Sequence, residues 1–330
     1  MLFDEAGIHE ICYTYSVKVT VVVTVLNEEP TIAALLESLL NQSTKADEIV
    51  VVDGGSSDKT PDIVKRYQKA EKSIHLFQFN TSRAEARNIG IKSARGEIIA
   101  TTDAGCIAEK HWLEKITKPF EDENVDLVAG FYDMIGDTHF RKALSVFIGI
   151  TPSRFDDYYL ASARSLAFRK TLWSMVGGFP ENLKDTAEDT VFSLKIIEAG
   201  ADIVREKSAI VFWKLPTTYV EAMKKIYLYA KGDAKSGIWW HPVKKFSTHN
   251  IKILFIYFRY LVALYLVFLS FFITSLDFPI ILGCVFYIFW AFRKVYIETS
   301  DWKAGLFGIL LQFSSDAAVM AGFFIGLVVK

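Results

Sequence analysis

Three cysteines in 330 residues, Cys12, Cys106 and Cys284, are too few and too scattered for a disulfide framework or a zinc site. They suit a reducing compartment. An excess of one charge is also missing: 37 Lys and Arg stand against 38 Asp and Glu, a formal net charge of -1, so nothing points to nucleic acid. No GxGxxG or GxxxxGK[ST] element occurs, which argues against a dinucleotide-dependent dehydrogenase or a P-loop machine. No Ser/His/Asp or Cys/His arrangement stands out, and His75, His111 and His139 lack ligand spacing. The opening MLFDEAGIHE has neither the basic region nor the apolar core of a signal peptide. Internal repeats and low-complexity runs are absent as well.

What is abundant is hydrophobicity, 51% of residues at a mean hydropathy of +0.24, and it is concentrated at one end. Residues 1–250 read as an ordinary globular mixture, whereas 251–330 are densely apolar and aromatic. Segments 253–275, 279–297 and 304–329 each approach the ~20 residues a helix needs to cross a bilayer. Asp277 and Pro279 separate the first pair, and ETSDWK separates the second. Lys244, Lys245 and Lys252 precede the first segment, and Arg293, Lys294 and Lys303 flank the second connector. By the positive-inside rule, residues 1–250 and that connector are expected in the cytoplasm. Arg259 and Asp316 fall inside or at the edge of these segments, where charge is costly. The expectation is that Arg259 snorkels to the interface and Asp316 bonds neighbours such as Gln312. The segment 216–250, with Thr218 and Glu221 in capping-box spacing and paired tryptophans beside lysines, reads as interfacial and amphipathic.

The first 215 residues alternate strands and helices. VTVVVTV (19–25) is a β-branched run expected of a strand covered on both faces, and Pro30 suits a first helical position. EIVVVD (48–53), IHLFQF (74–79) and EIIATTD (97–103) are further strands, with helices near 61–70 and over SRAEARNIGIKSA. Such alternation predicts βαβ units and an α/β, mostly parallel, Rossmann-like sheet. DLVAGFYDM and SARSLAFRK read as additional strands, and FRKALSVFIGI (140–150) as a stretch that can lie on a membrane surface. Ligands of such sheets sit beyond the carboxyl ends of the strands, and Glu28, Asp53 and Asp103 mark those ends. AEDTVFSLKIIEAG opens a helix with Glu188 and Asp189, where the macrodipole favours acids. Four carboxylates at one rim can hold Mg²⁺ or Mn²⁺, which needs few protein ligands when phosphates and water supply the rest. Arg83 and Arg87 can reach a diphosphate.

TVLNEEPTIAALLESLLNQ, EIVVVDGGSSDKT, AEARNIGIKSARGEIIATTDAGC and GGFPENLKDTAEDTVFSLKIIEAG, in this order over residues 19–213, resemble family-2 inverting glycosyltransferases of the GT-A fold. The resemblance implies an α/β GT-A domain over 1–215, an interfacial segment over 216–250 and an all-α membrane domain over 251–330. It also implies roles. Thr24, Leu26 and Glu28 line the nucleoside site, Asp53 bonds the base, and Arg83, Arg87 and Asn88 seat the nucleotide. Asp103, with Ala104, is the metal-binding member of a DxD-type motif whose second acid is absent, so Cys106 is expected to be a packing residue. Asp189, beside Glu188, is the general base. A Gln-x-x-Arg-Trp motif, the mark of processive synthases, is not matched; Lys231, Lys235 and Trp239 are the acceptor-side candidates. The implied reaction moves one sugar, with GDP-mannose the favoured donor, to a lipid-linked acceptor such as a dolichyl or polyprenyl phosphate or a lipid-linked oligosaccharide. Membrane lipids are then partners, at the cytoplasmic face of the cell membrane. A processive polysaccharide synthase and a non-catalytic nucleotide-binding membrane subunit are the alternatives. A nucleotidyltransferase would want a glycine-rich basic loop that TVLNEEP is not.

Overall fold

The computed structural model describes residues 17–184, 186–240 and 248–329; the amino-terminal stretch with Cys12, and Lys244 and Lys245, lie outside them. In chain order the elements are β1 (Val19–Val25), α1 (Ile32–Leu40), β2 (Glu48–Asp53), α2 (Thr60–Ala70), β3 (Ile74–Gln78), α3 (Arg83–Ser93), β4 (Ile98–Asp103), β5 (Cys106–Ala108) and α4 (Trp112–Thr117). Then follow β6 (Leu127–Ile135), α5 (His139–Ile148), β7 (Leu166–Arg169), α6 (Lys170–Met175), α7 (Glu188–Glu198), β8 (Ile203–Lys214) and α8 (Tyr219–Ser236). Three long helices close the chain: α9 (His249–Ser270), α10 (Asp277–Thr299) and α11 (Trp302–Val328).

The strands form one sheet in the order β3-β2-β1-β4-β7-β6-β8-β5. The first four are parallel, and β7 runs antiparallel to both β4 and β6. Val21–Val23, Val50–Val52 and Ile98–Ala100 are wholly buried because helices cover both faces. From β1 the chain crosses to β2 on one side and later to β4 on the other, so the crevice for a ligand opens between β1 and β4. The parallel register decides what lines it. Thr24 pairs with Asp103 and Val25 with Asp53, which brings both acids to the same rim.

The structure departs from the sequence reading in several places. The first helix begins at Ile32, not Pro30: the Glu28 carbonyl accepts the amides of Thr31 and Ile32, closing a turn first. Only Leu166–Arg169 of SARSLAFRK is strand. The 12-residue β8 was not read from the sequence, because its charged middle (Arg205 to Ser208) hides the period. Its parallel pairing with β6 shifts register between Gly130 and Phe131. The capping box expected at Thr218 and Glu221 is formed.

The apolar helices are each long and apolar enough to cross a membrane. α9 and α10 are almost bare, whereas α11 packs against α5 and α8 and is substantially covered. Of residues 140–150, 140–148 belong to α5, which lies under α11 and is not an open surface. Arg259 does not snorkel: its Nη2 lies 2.6 Å from Asp316 Oδ2. Asp316 also accepts from Tyr260 (3.0 Å), Tyr287 (2.8 Å) and, as expected, Gln312 (3.1 Å). A charge held among apolar helices is kept there by a partner of opposite sign.

Candidate active site

Helix α3 sets the frame. Ser82 caps it in a reciprocal box with Glu85, which satisfies the free amides of the first turn. Arg83 and Arg87, four residues apart, then share the face that looks at the rim. Gly90 is on the buried side, where a Cβ would lie 2.6 Å from Val22 Cγ1; only glycine lets α3 approach the sheet this closely.

Arg87 is 3% exposed and bridges two acids. Its Nη2 donates to Asp103 Oδ1 at 2.7 Å and its Nη1 to Glu188 Oε1 at 2.5 Å, while the guanidinium stacks 5.5 Å from the Phe179 ring. Arg83 adds a second cation 3.7 Å from Glu188. Burial opposes ionisation of Asp103, but Arg87, Arg164 and Arg83 outweigh it and hold the carboxyl well below the usual range. Asp189 is the contrary case. Burial, then the neighbouring charge of Glu188, push its carboxyl above the ordinary value. Its Oδ1 accepts the Thr190 amide at 2.9 Å, and its Oδ2 has only long contacts, 3.3 Å to Ser162 Oγ and 3.4 Å to the Ala163 amide. Two acids adjacent in sequence thus have opposite roles: Glu188 is consumed by arginines, while Asp189 keeps a weakly held oxygen and a raised proton affinity. Ala187, just before them, has φ 74°, a left-handed backbone that costs a non-glycine residue ~1–3 kcal/mol and clusters at functional sites.

The loops after β1 and β2 are stitched together. Asn27, also left-handed at φ 54°, accepts from the Ser57 amide at 2.9 Å, and the Glu28 amide donates to Thr60 Oγ1 at 2.8 Å. Glu28 accepts from Thr31 Oγ1 at 2.5 Å; burial raises its proton affinity against that bond, and Asp103 adds to the rise. Thr24 is half-buried beside Asp103, and Leu26 is exposed. Asp53 is 1% exposed and its Oδ1 takes the amide and hydroxyl of Ser56, so it braces the loop 54–58.

Asn88, which the resemblance places at the nucleotide, is hydrogen-bonded to the turn after α6. Its amide donates to the Phe179 carbonyl and Glu181, and accepts from Trp173 Nε1 and the Phe179 amide. These bonds fasten α3 to the turn after α6. Trp239 packs on Phe323 of α11. Lys231 and Lys235 lie on the same helix, α8, six and ten residues beyond Lys225, which faces Asp103 and Glu28. Cys106 is buried as a packing residue, and burial followed by the Asp103 charge pushes its thiol up to about 12.

Two side chains that were missed in the sequence complete the rim. Arg164 lies 4.0 Å over the Trp213 ring and 5.0 Å from that of Tyr132, and donates to Tyr229 OH at 2.9 Å. Its Nε is buried without a hydrogen-bond partner, 3.9 Å from Asp103 Oδ2. Lys225 covers the same Trp213 ring at 4.6 Å. Burial, Arg164 and Arg83 lower its amine to about 8. Nothing in the sequence distinguishes Lys225 from the other lysines of α8, or Arg164 from other arginines; only the fold stacks both on one indole.

Among the described residues no three ligating side chains come together as a metal centre. Asp103 supplies one oxygen toward the rim, which fits a divalent cation that takes its other ligands from phosphate and water; it does not fit a cage made by protein alone.

Residues 20–179 match the family model described as Glycosyl transferase family 2. They form a family 2 glycosyltransferase domain. Over 121 residues the chain is 33% identical to the Uncharacterized glycosyltransferase EpsJ of Bacillus subtilis (strain 168), covering 36% of this chain and 35% of that protein. The chain spans about a third of the length of the curated relatives it matches. Among solved structures, mannosyltransferase PcManGT from Pyrobaculum calidifontis in complex with GDP-Man and Mn²⁺ superposes at TM-score 0.55 with 25% identity, over 68% of this chain and 64% of that one. S. aureus TarS 1-349 in complex with UDP-GlcNAc superposes at TM-score 0.51 with 25% identity, over 65% and 66%. The family 2 domain here thus has a GT-A-like, Rossmann-type sheet followed by three long apolar helices.

Proposed function

We propose that this protein is an inverting glycosyltransferase that moves one sugar from a nucleotide-sugar to a membrane-borne acceptor. The observation that carries the reading is the rim where Arg87 ties Asp103 to Glu188 and leaves Asp189 weakly held. The donor diphosphate lies against Arg164 Nε, Lys225 and Arg83, the cations that face this rim. Asp103 is the residue that would hold Mn²⁺ or Mg²⁺, whose chemistry when bound is to stabilise charge on the leaving diphosphate. Asp189 takes the proton of the acceptor hydroxyl as that oxygen bonds to the anomeric carbon. The bond to the donor phosphate breaks on the opposite face, and the nucleoside diphosphate leaves with the electron pair. A burial-raised carboxylate is a better base than an ordinary one.

The acceptor follows from that base. A lipid phosphate is already ionised and needs no proton removed, whereas a sugar hydroxyl does, so Asp189 favours a lipid-linked glycan over a dolichyl or polyprenyl phosphate. GDP-mannose is the favoured donor, supported by the GDP-Man of the Pyrobaculum structure, with UDP-sugars the competing class after TarS. The apolar helices support a membrane protein. Asp301, in the second connector, is bound by His139 and Lys142 of α5, so that connector sits on the same side as the catalytic domain, and the flanking basic residues support the cytoplasm as that side.

Wild type and Asp189→Asn, purified in detergent, are given Mn²⁺, host lipid extract and radiolabelled GDP- and UDP-sugars in turn. Label is expected in the organic phase from one donor, and transfer by the variant falls ~10²–10⁴-fold. If every donor binds and none labels lipid, transfer to lipid is refuted.

A further inference from the structure

α11 has the composition of a membrane span but not the contacts of one. Its first turn is capped by Asp301, which is also bound by His139 (2.7 Å) and Lys142 (3.1 Å) of α5. Its last turns rest on α8. A Cβ at Gly322 would lie 2.2 Å from the Tyr227 carbonyl oxygen, and one at Gly326 would lie 2.5 Å from that of Lys231. Between these ends, Leu311 is fully buried in the same cluster as Ala222 and Ile226 of α8. Both ends of a helix ~40 Å long therefore touch the α/β domain. Helix α8 cannot be carried across hydrocarbon with it, because its other face holds Lys225 and Tyr229 at the polar rim and Thr186 at the Leu228 carbonyl. A spanning helix must leave the domain behind; this one follows its surface from end to end.

α9 and α10 behave otherwise. They touch α11 at points along its length, Tyr257 to the Met320 carbonyl, Arg259 and Tyr287 to Asp316, Lys294 to Gln312. Their far halves, from Leu261 to Phe286, rise away with nearly every large apolar side chain bare. The face of α11 turned from the domain carries Leu306, Leu310, Phe313, Phe324 and Leu327, with Trp302 exposed at its start. That apolar stripe is continuous with the bare hairpin, and tryptophan at its end belongs to the headgroup zone.

We propose that α11 lies in the plane of the bilayer surface, its outer stripe sunk among the acyl chains, and that the chain crosses the membrane twice, at α9 and α10. This rests on the membrane reading above. It makes α8 the wall between the lipid surface and the catalytic rim, one helix thick, across which a lipid-borne acceptor meets Asp189.

The test uses the full chain with Cys12→Ala and Cys284→Ala, leaving buried Cys106. Single cysteines are added as Glu71→Cys, Thr274→Cys or Val329→Cys, and vesicles of either orientation are exposed to an impermeant maleimide. Val329→Cys is expected to label in the same vesicles as Glu71→Cys, and Thr274→Cys in the opposite ones. Labelling of Val329→Cys together with Thr274→Cys means three crossings and overturns the in-plane helix while leaving the membrane reading intact. If all three label alike and alkaline carbonate strips the protein from the vesicles, the membrane reading falls and the in-plane helix with it.

Discussion

Arg87→Met removes the one cation shared by two acids and keeps most of the volume. Deleting one partner of a buried ion pair costs ~3–5 kcal/mol, because the other charge is left stranded. Here the lower end applies. Asp103 is a quarter exposed and can rehydrate, and Glu188 retains Arg83 at 3.7 Å. A loss of about 3 kcal/mol corresponds to roughly 6–12 °C in Tm for a domain of this size, read by tryptophan fluorescence in detergent at pH 7. The sign of the pH dependence adds a second reading. Asp103 is held below the ordinary carboxylate range in the folded protein. Its stabilisation is therefore present at neutral pH and is lost as pH falls through that depressed value. The variant has lost it already, so the two Tm values converge in acid. Arg87 also restrains the upward shift of Asp189. Without it the base binds its proton more tightly, and the acid limb of kcat moves to higher pH. An unchanged Tm and acid limb with a raised donor KM would refute the reasoning and make Arg87 a nucleotide contact, as the resemblance implied.

Lys225→Met is expected to raise donor KM about tenfold or more, from the ~1.5–3 kcal/mol of a hydrogen bond to a charged group, with kcat little changed. Since the amine is lowered to about 8, wild-type donor affinity weakens as pH rises through that value, and Lys225→Arg abolishes this alkaline limb; a Lys225→Met KM equal to that of wild type, with the alkaline limb kept in both variants, rejects the diphosphate role. Gly322→Val drives a side chain into the Tyr227 carbonyl and should cost ~1–3 kcal/mol as an overpacked contact, seen as a lowered Tm; an unchanged Tm would mean that α11 and α8 are not held together there.

How much was legible depends on how local each feature is. The β-branched runs at 19–25 and 48–53, the capping box at Thr218, and acids ending strands at Asp53 and Asp103 are local patterns, and each forms as read. β8 escaped because its charged middle and shifted register have meaning only against β6. The bonds of Asn88 to Phe179 and Trp173 were not legible because a motif position says where a residue lies, not which distant atoms share its amide. Arg259 looked like a snorkelling residue until Asp316, 57 positions away, proved to be its partner.

The sequence by itself determined the parallel α/β class, the rim of carboxylates and the apolar end of the chain, because these follow from periodicity and from motifs a few residues long. Only the tertiary structure decided which two acids Arg87 neutralises and which one it leaves weakly held, that Arg164 and Lys225 share the Trp213 ring, and that α11 follows the domain surface. Those outcomes depend on burial, on charges distant in sequence, and on glycines such as Gly322 whose only signal is the backbone they allow to approach.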